Sequence, residues 1–320
     1  MQKKAEYAEL HCLSNFTFLR GASRPEELVE TASSLEYQAL AITDECSMAG
    51  IVRAHTQAKK SGLKLIIGTE LALDHGFRLV LLARNHDGYT SLCSLITDAR
   101  RNAEKGEYLV PDGRLEQLAT AHCIAILAPP RLVAEDTGNN MLQWFSQTFQ
   151  HAWLALTLLH DKTDRAHTRR VLSMAKSRHL PVVACGDVHM HNRQRRALQD
   201  IVTCIRENCT LQNAGRKLYP NGERHLRNRH SLTSLYPRAA LQETIRIASL
   251  CDFSLDELRY EYPHELVPHG FNASDYLRKL TYAGVRQRWP DGPDDKVINQ
   301  IERELTLIRE LNNEHYFFTV

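Results

Sequence analysis

The sequence predicts an α/β protein, a barrel or a doubly wound sheet, with an irregular seven-stranded barrel fitting better, followed by a helical segment. Three observations carry that expectation. Seven short apolar or alternating runs occur in the first 190 residues, helix-period segments separate most of them, and the strand signal stops beyond about residue 190. Alternation of this kind marks helices packed around a mostly parallel sheet.

In chain order, the strand candidates are 7–13 (YAELHCL), 39–45 (ALAITDE), 64–71 (KLIIGTEL), 77–83 (FRLVLLA), 123–129 (CIAILAP), 152–158 (AWLALTL) and 181–189 (PVVACGDVH). They are short, rich in apolar residues and often of period two. Helical spacing runs through 25–36, 47–62, 86–101, 141–150 and 164–179. Ser23 with Pro25 and Glu26 reads as a capping box with proline in the first turn. Asp44–Ser47 leads into the second helix, which Gly62 stops. Only five residues around DHG separate 64–71 from 77–83, so these two strands form a hairpin, which argues against a regular eight-fold barrel.

Beyond the last strand, 191–207 reads as a helix, followed by a polar, Asn/Gly-rich stretch to about 230. Helices follow near 231–251 and at 273–288. The last, 294–311, places Val297, Ile298, Ile301, Leu305, Ile308 and Leu311 on one face. The sequence closes on HYFFTV, an apolar run stopped in mid-phrase, which predicts a longer parent protein. The expected division is 1–250 for the barrel domain and 251–320 for a helical connection.

Composition is that of an ordinary globular chain, 320 residues with 43% hydrophobic and 24% charged. No apolar run reaches the roughly 18 residues of a membrane span. The start MQKKAEYAEL has no apolar signal core, so the cytoplasm is the expected compartment. Eight singly spaced cysteines with no C-x-x-C pair predict reduced, mostly buried thiols. Net charge is only +2, but 191–230 holds nine Lys/Arg against three acids. Arg193, Arg195, Arg196, Arg216 and Lys217 in that stretch are candidates for contact with DNA or a partner; a plain solvated face is the alternative. Phosphate-loop, dinucleotide, H-E-x-x-H and G-x-S-x-G motifs are absent from the sequence, which excludes the common nucleotide-triphosphate pocket and serine-hydrolase signatures.

In a parallel barrel, functional groups collect where strands end and loops begin. Those ends carry His11, Asp44 with Glu45, Glu70, and Asp187 with His189 and His191. Singly, each has a plain structural explanation: a helix cap for Asp44, a surface acid for Glu70, a loop residue for His11. Jointly, four strands deliver His or carboxylate to one rim, the donor set that suits Zn, Mn or Fe in phosphoester hydrolysis. Asp187 and His189, two apart on an extended strand, can converge on one ion.

YAELHCLSNFTFLRGAS, ALAITDECSMAGIVRAH, LIIGTEL, LVLLARNHDGYTSL and PVVACGDVHMHNRQRRALQDIVTCI together resemble, in order and spacing, the N-terminal PHP (polymerase and histidinol phosphatase) domain of bacterial C-family DNA polymerases, the DNA polymerase III alpha-like proteins. The first two motifs are most similar to the error-prone, damage-induced branch. The resemblance implies a distorted seven-stranded (β/α) barrel, with 251–320 leading into a polymerase palm. It also implies a parent that performs DNA-directed DNA synthesis with Mg²⁺, in damage-induced mutagenesis, translesion synthesis, replication and repair. The implied partners are DNA, deoxynucleotides, the sliding clamp and damage-response accessory proteins. Polymerase carboxylates are expected beyond Val320, so no polymerase catalytic residue is expected in 1–320.

The metal ligands of the family carry over in part. His11, Asp44, Glu70, Asp187 and His189 match, and Glu45 stands where a histidine is expected. Leu13 replaces a second histidine, Arg20 an acid and Arg78 a histidine. Arginine cannot ligate a metal, but it can neutralise the carboxylates a missing ion would have balanced. The expectation is a remnant, metal-poor site in which Arg20 and Arg78 replace the metal, making the barrel a non-catalytic scaffold. The rival expectations are an active Zn- or Mn-dependent phosphoesterase or 3′–5′ exonuclease, and a pure protein-interaction module.

Overall fold

A computed structural model describes residues 6–118, 122–258 and 266–319. These residues divide into two compact units, 1–257 and 258–320.

The first unit is the expected barrel. Its seven strands are β1 (Ala8–Glu9), β2 (Ala39–Ile42), β3 (Lys64–Ala72), β4 (Arg78–Ala83), β5 (Cys123–Ala128), β6 (Ala152–Leu156) and β7 (Val182–Ala184), hydrogen-bonded in sequence order. The barrel nearly closes where Val188 N–H donates to His11 O at 2.9 Å and Leu13 N–H donates to Val188 O at 2.8 Å. The expected hairpin is present. β4 runs antiparallel to both β3 and β5, so two of the six strand pairings are not parallel. The hairpin at DHGF forces this reversal, because a short link cannot carry the chain back to a parallel start.

Around the barrel lie α1 (Pro25–Ser34), α2 (Ile51–Ser61), α3 (His86–Arg101), α4 (Glu135–Thr148) and α5 (Asp164–Ser177), then α6 (Arg196–Arg206), α7 (Arg229–Leu235) and α8 (Arg238–Leu250). Alternate strand residues fill the interior: Ala8, Ala41, Ile66, Val80, Ile126, Ala155 and Val183 pack together, joined by Ile247, Ala248 and Cys251 from α8 and the residue after it. The opposite strand faces pack against the surrounding helices. Gly68 permits one tight crossing, since a Cβ there would sit 2.5 Å from the Leu81 carbonyl oxygen.

Several boundaries moved for physical reasons. The cap of α1 is Arg24 rather than Ser23; Glu27 accepts the Arg24 backbone N–H at 2.9 Å. The Ser23 hydroxyl instead pairs with His191 Nδ1 at 2.8 Å and accepts that residue's N–H. Helix α2 begins at Ile51, because the Asp44 carboxylate is committed elsewhere. Helix α4 starts six residues before the expected 141: its first turns are polar and carry Glu135 and Asp136 at the positive end of the helix dipole, which an apolar pattern does not register. Pro237 splits the expected 231–251 helix into α7 and α8. Every described cysteine is a free thiol, and six of them are buried.

The second unit contains α9 (Ala273–Arg288), α10 (Asp295–Glu310) and α11 (Glu314–Phe317). Asn272 and Asp294 cap the first two by accepting the Asp275 and Val297 N–H groups at 2.8 Å. Arg278 holds Glu302 across the α9–α10 pair at 2.6 Å.

Candidate functional site at the barrel mouth

The alternation that fills the barrel also builds its mouth. Inner-facing Ile66, Ala155 and Cys185 lead, at even spacing, to Glu70, Thr157 and Asp187. Because β4 is reversed, its first residue, Arg78, reaches this same end. Residues of the 11–20 loop complete the rim. The result is a cavity of about 290 Å³ lined by His11, Arg20, Glu70, Arg78, Asp187 and His189, with further contributions from Arg131, His167, Tyr219 and Arg224.

Glu70 is the centre of the cluster and is fully buried. One of its oxygens lies 2.6 Å from His11 Nε2; the other accepts Arg20 Nη1 at 2.7 Å and Arg78 Nη1 at 3.2 Å. Glu45 accepts Arg78 Nη1 at 2.8 Å and the Tyr108 hydroxyl at 2.9 Å on one oxygen, and Arg20 on the other. Burial opposes ionisation of both acids, yet the guanidinium charges outweigh it. Glu70 is held well below the ordinary carboxylate range, by Arg20 first, and Glu45 is also lowered, by Arg20 and then Arg78.

Asp187 sits in left-handed backbone (φ 46°) beyond β7. His189 Nε2 is 3.0 Å from its Oδ1, and Arg224 pairs with its Oδ2. Burial, reinforced by Arg20, keeps His189 well below its ordinary value and so neutral.

Asp44 is outside the cavity. Its Oδ1 accepts the Ser14 N–H and the Thr17 hydroxyl, both at 2.7 Å, and its Oδ2 accepts the Ser14 hydroxyl at 2.7 Å. It therefore anchors the 11–20 loop and offers no free oxygen. Burial raises its pKa against these hydrogen bonds. His191 is held by Ser23 and Asn192 and does not line the cavity.

What the site can hold follows from these contacts. Ligand atoms of His11, Glu70 and Asp187 lie within 4.8 Å of one another, so these three could hold one metal ion. Asp44 and Glu45 add nothing to this set, because their oxygens are engaged by Ser14, Thr17, Arg20, Arg78 and Tyr108. Support for even one ion is weak. His11 Nε2 must lose its proton to ligate, and the other nitrogen, Nδ1, is buried with no acceptor; His189 Nδ1 is in the same position. Ligating histidines ordinarily donate that second N–H to a fixed acceptor.

Sequence reasoning missed Arg224, Arg131, Tyr219 and His167. Arg224 stacks over the Tyr219 ring at 4.6 Å, and its carbonyl accepts the His189 N–H at 2.9 Å. It lies 37 positions from Asp187, in a polar stretch without periodicity, and no local motif flags it. The basic candidates behave differently from the cavity arginines. Arg193 reaches Glu223 at 3.3 Å, Arg195 pairs with Glu27, Arg196 faces Asp200 at 3.6 Å, and Lys217 donates to Glu207 O at 3.3 Å; all lie at or near α6, and Arg216 is exposed beside Lys217.

Residues 9–137 match the PHP domain model. Over 99% of its length the chain is 50% identical to an error-prone DNA polymerase of Methylococcus capsulatus and 49% identical to one of Pseudomonas aeruginosa. It spans 30% of the length of each of these curated relatives. Its sequence is thus similar, over nearly all of its length, to one part of each of these polymerases. Among solved structures, an amidohydrolase from Chromobacterium violaceum shares 16% identity, covering 57% of this chain and 87% of that one with a TM-score of 0.43. No helix among the described residues is long and apolar enough to cross a membrane.

Proposed function

We propose that this chain is the N-terminal part of an error-prone DNA polymerase, and that its PHP barrel serves there as a metal-poor, non-catalytic scaffold. The parent protein would add deoxynucleotides to a DNA primer with Mg²⁺ held by carboxylates outside 1–320, in damage-induced mutagenesis and translesion synthesis in the cytoplasm. Residues 251–320 would connect the barrel to the palm. Sliding clamp and damage-response proteins are its proposed partners.

The observation that carries the scaffold reading is the seating of Arg20 and Arg78 on Glu45 and Glu70. Two guanidinium groups supply the positive charge that an ion cluster would otherwise bring, and they need no cofactor. When bound, one Zn²⁺ or Mn²⁺ on His11, Glu70 and Asp187 would supply Lewis-acid activation of a phosphoester. His189, kept neutral by burial, would orient Asp187, while Arg20 and Arg78 would hold the oxygen of Glu70 that faces them. The test is elemental analysis of protein purified without chelator, with a phosphoesterase assay in Mn²⁺ or Zn²⁺. The scaffold reading expects well under one ion per chain and no turnover. Stoichiometric metal, with turnover that Asp187→Asn abolishes, overturns it in favour of an active phosphoesterase or exonuclease.

A further inference from the structure

Two of the eight cysteines meet at the end of helix α6. Asn208, in left-handed backbone (φ 47°), stops the helix. Around it the Cys209 N–H donates to the Cys204 carbonyl at 2.9 Å, and the Asn208 N–H donates to the Ile205 carbonyl at 3.2 Å. This nested pair of bonds is a Schellman turn, whose two outer residues frequently touch through their side chains. Here both outer residues are cysteines. Burial first, and then a hydrogen bond with the Cys209 thiol, hold the Cys204 thiol above its ordinary range. Cys204 is buried, whereas Cys209 is half-buried and within reach of a small solute. A disulfide needs α-carbons about 4.4–6.8 Å apart, and a turn closed by a backbone bond between the two cysteines themselves brings them together without moving the helix.

We propose that Cys204 and Cys209 are a redox modification site, joined by a reversible disulfide when hydrogen peroxide meets the thiol of Cys209. The Cys209 sulfur attacks one peroxide oxygen; the O–O bond breaks, a sulfenic acid forms on Cys209 and one water leaves. The Cys204 sulfur then displaces the hydroxyl from Cys209, forming the S–S bond and releasing a second water. Two thiols thus lose two electrons and two protons, which the peroxide takes up in becoming two waters. Proximity of the second thiol makes the disulfide, rather than further oxidation of Cys209, the outcome. A thiol reductant reverses the bond by exchange. In a reducing compartment such a bond is transient and acts as a sensor. It would pin the end of the helix whose Gln199 and Arg206 side chains donate to the Arg20 and Leu19 carbonyls at 2.7 and 3.5 Å, the stretch that delivers Arg20 to the barrel mouth.

The test uses the full 320-residue chain, reduced, freed of reductant and treated with hydrogen peroxide. Remaining thiols are alkylated in denaturant, and a tryptic digest made without reductant is read by mass spectrometry. Trypsin cuts after Arg206, so a disulfide between Cys204 and Cys209 joins the peptide 197–206 to the peptide 207–216. The expected result is that linked pair as the main product, with free thiols falling from eight to six and returning with dithiothreitol. Its formation should be roughly tenfold or more faster in the folded chain than in urea, because the turn positions the sulfurs beforehand. Cys204→Ser should leave Cys209 as a sulfenic acid that dimedone traps. Cys209→Ala, at the more exposed position, should leave all seven remaining thiols free. Thiols that stay at eight in the parent chain, linkage of either cysteine to any other or to a second chain, or equal rates in the folded and unfolded chain overturn the inference. So does thiol loss in Cys209→Ala at the parent's rate.

Discussion

Replacing Arg20 by alanine should remove the main cation seated on Glu70. The guanidinium lies 2.7 Å from a carboxylate with no solvent exposure, and Arg20 itself is only 12% exposed. At that distance and an effective dielectric of ~20, the attraction is about 6 kcal/mol. Arg78, at 3.2 Å from the same oxygen, keeps part of the compensation, and water can enter the vacated cavity. The net loss should therefore be about 3 kcal/mol, at the low end of what breaking a buried pair costs. For a domain of this size that corresponds to a fall of roughly 6–12 °C in melting temperature. The decisive comparison is the double variant Arg20→Met with Glu70→Gln, in which no buried charge is stranded. It should recover at least half of the loss, measured by denaturant midpoints at neutral pH. A single variant that melts within 2 °C of the parent, or a double variant no better than the single, would refute the idea that Arg20 stands in for a cation.

The other predictions concern pH and packing. Glu70 and Glu45 are lowered in the folded chain, so their pairs contribute fully above the ordinary carboxylate range and lose their contribution as pH falls below about 4. His167 adds an earlier loss: burial, with Arg131 and Arg170, pulls it down to about 4, so between about pH 6.5 and 4 the unfolded chain binds a proton that the folded chain refuses. His167→Gln should flatten the fall of the denaturant midpoint over that window, and an unchanged slope would count against it. Gly68→Ala drives a methyl against the Leu81 carbonyl and should cost about 1–3 kcal/mol in the same assay. Asp44→Ala strands the Ser14 N–H and the Thr17 hydroxyl and should cost about 2–4 kcal/mol, while leaving metal content unchanged, because Asp44 offers the cavity no oxygen.

Much of this site was legible because strand parity is unforgiving. Once 64–71 is read as a strand with an inward apolar set, Glu70 can only point into the mouth, whereas Asp187 lies beyond β7 in left-handed backbone and strand parity does not decide it. Arg78 was harder to place. It opens its strand, and in an all-parallel barrel the opening residue would sit at the far end from the site; only the reversal of β4, implied by the five-residue LDHGF link, brings it to Glu70. Asp44 misled in the opposite sense. The sequence sets it beside Glu45 at a strand end, but neighbouring residues diverge across a strand. Asp44 turned to Ser14 and Thr17 while Glu45 turned to the arginines. Arg224 could not be read at all, since its pairing with Asp187 depends on a loop with neither period nor motif.

The same geometry explains why Glu70 and Glu45 need a counter-charge in this mouth. Glu70 is held at both ends: its backbone N–H donates to the Asp44 carbonyl and its carbonyl accepts the Cys46 N–H, so the chain fixes its position whatever its side chain meets. A carboxylate fixed in that place without a counter-charge would cost several kcal/mol. Removing the charge would take an amide or an apolar side chain able to satisfy His11, whereas one arginine on the adjacent loop satisfies Glu70 and Glu45 together. Arg20 thus neutralises both acids of the mouth with one side chain. The guanidinium must leave Glu70 before an ion can approach its second oxygen, so Leu13→His with Arg20 in place should yield no gain in bound metal by elemental analysis.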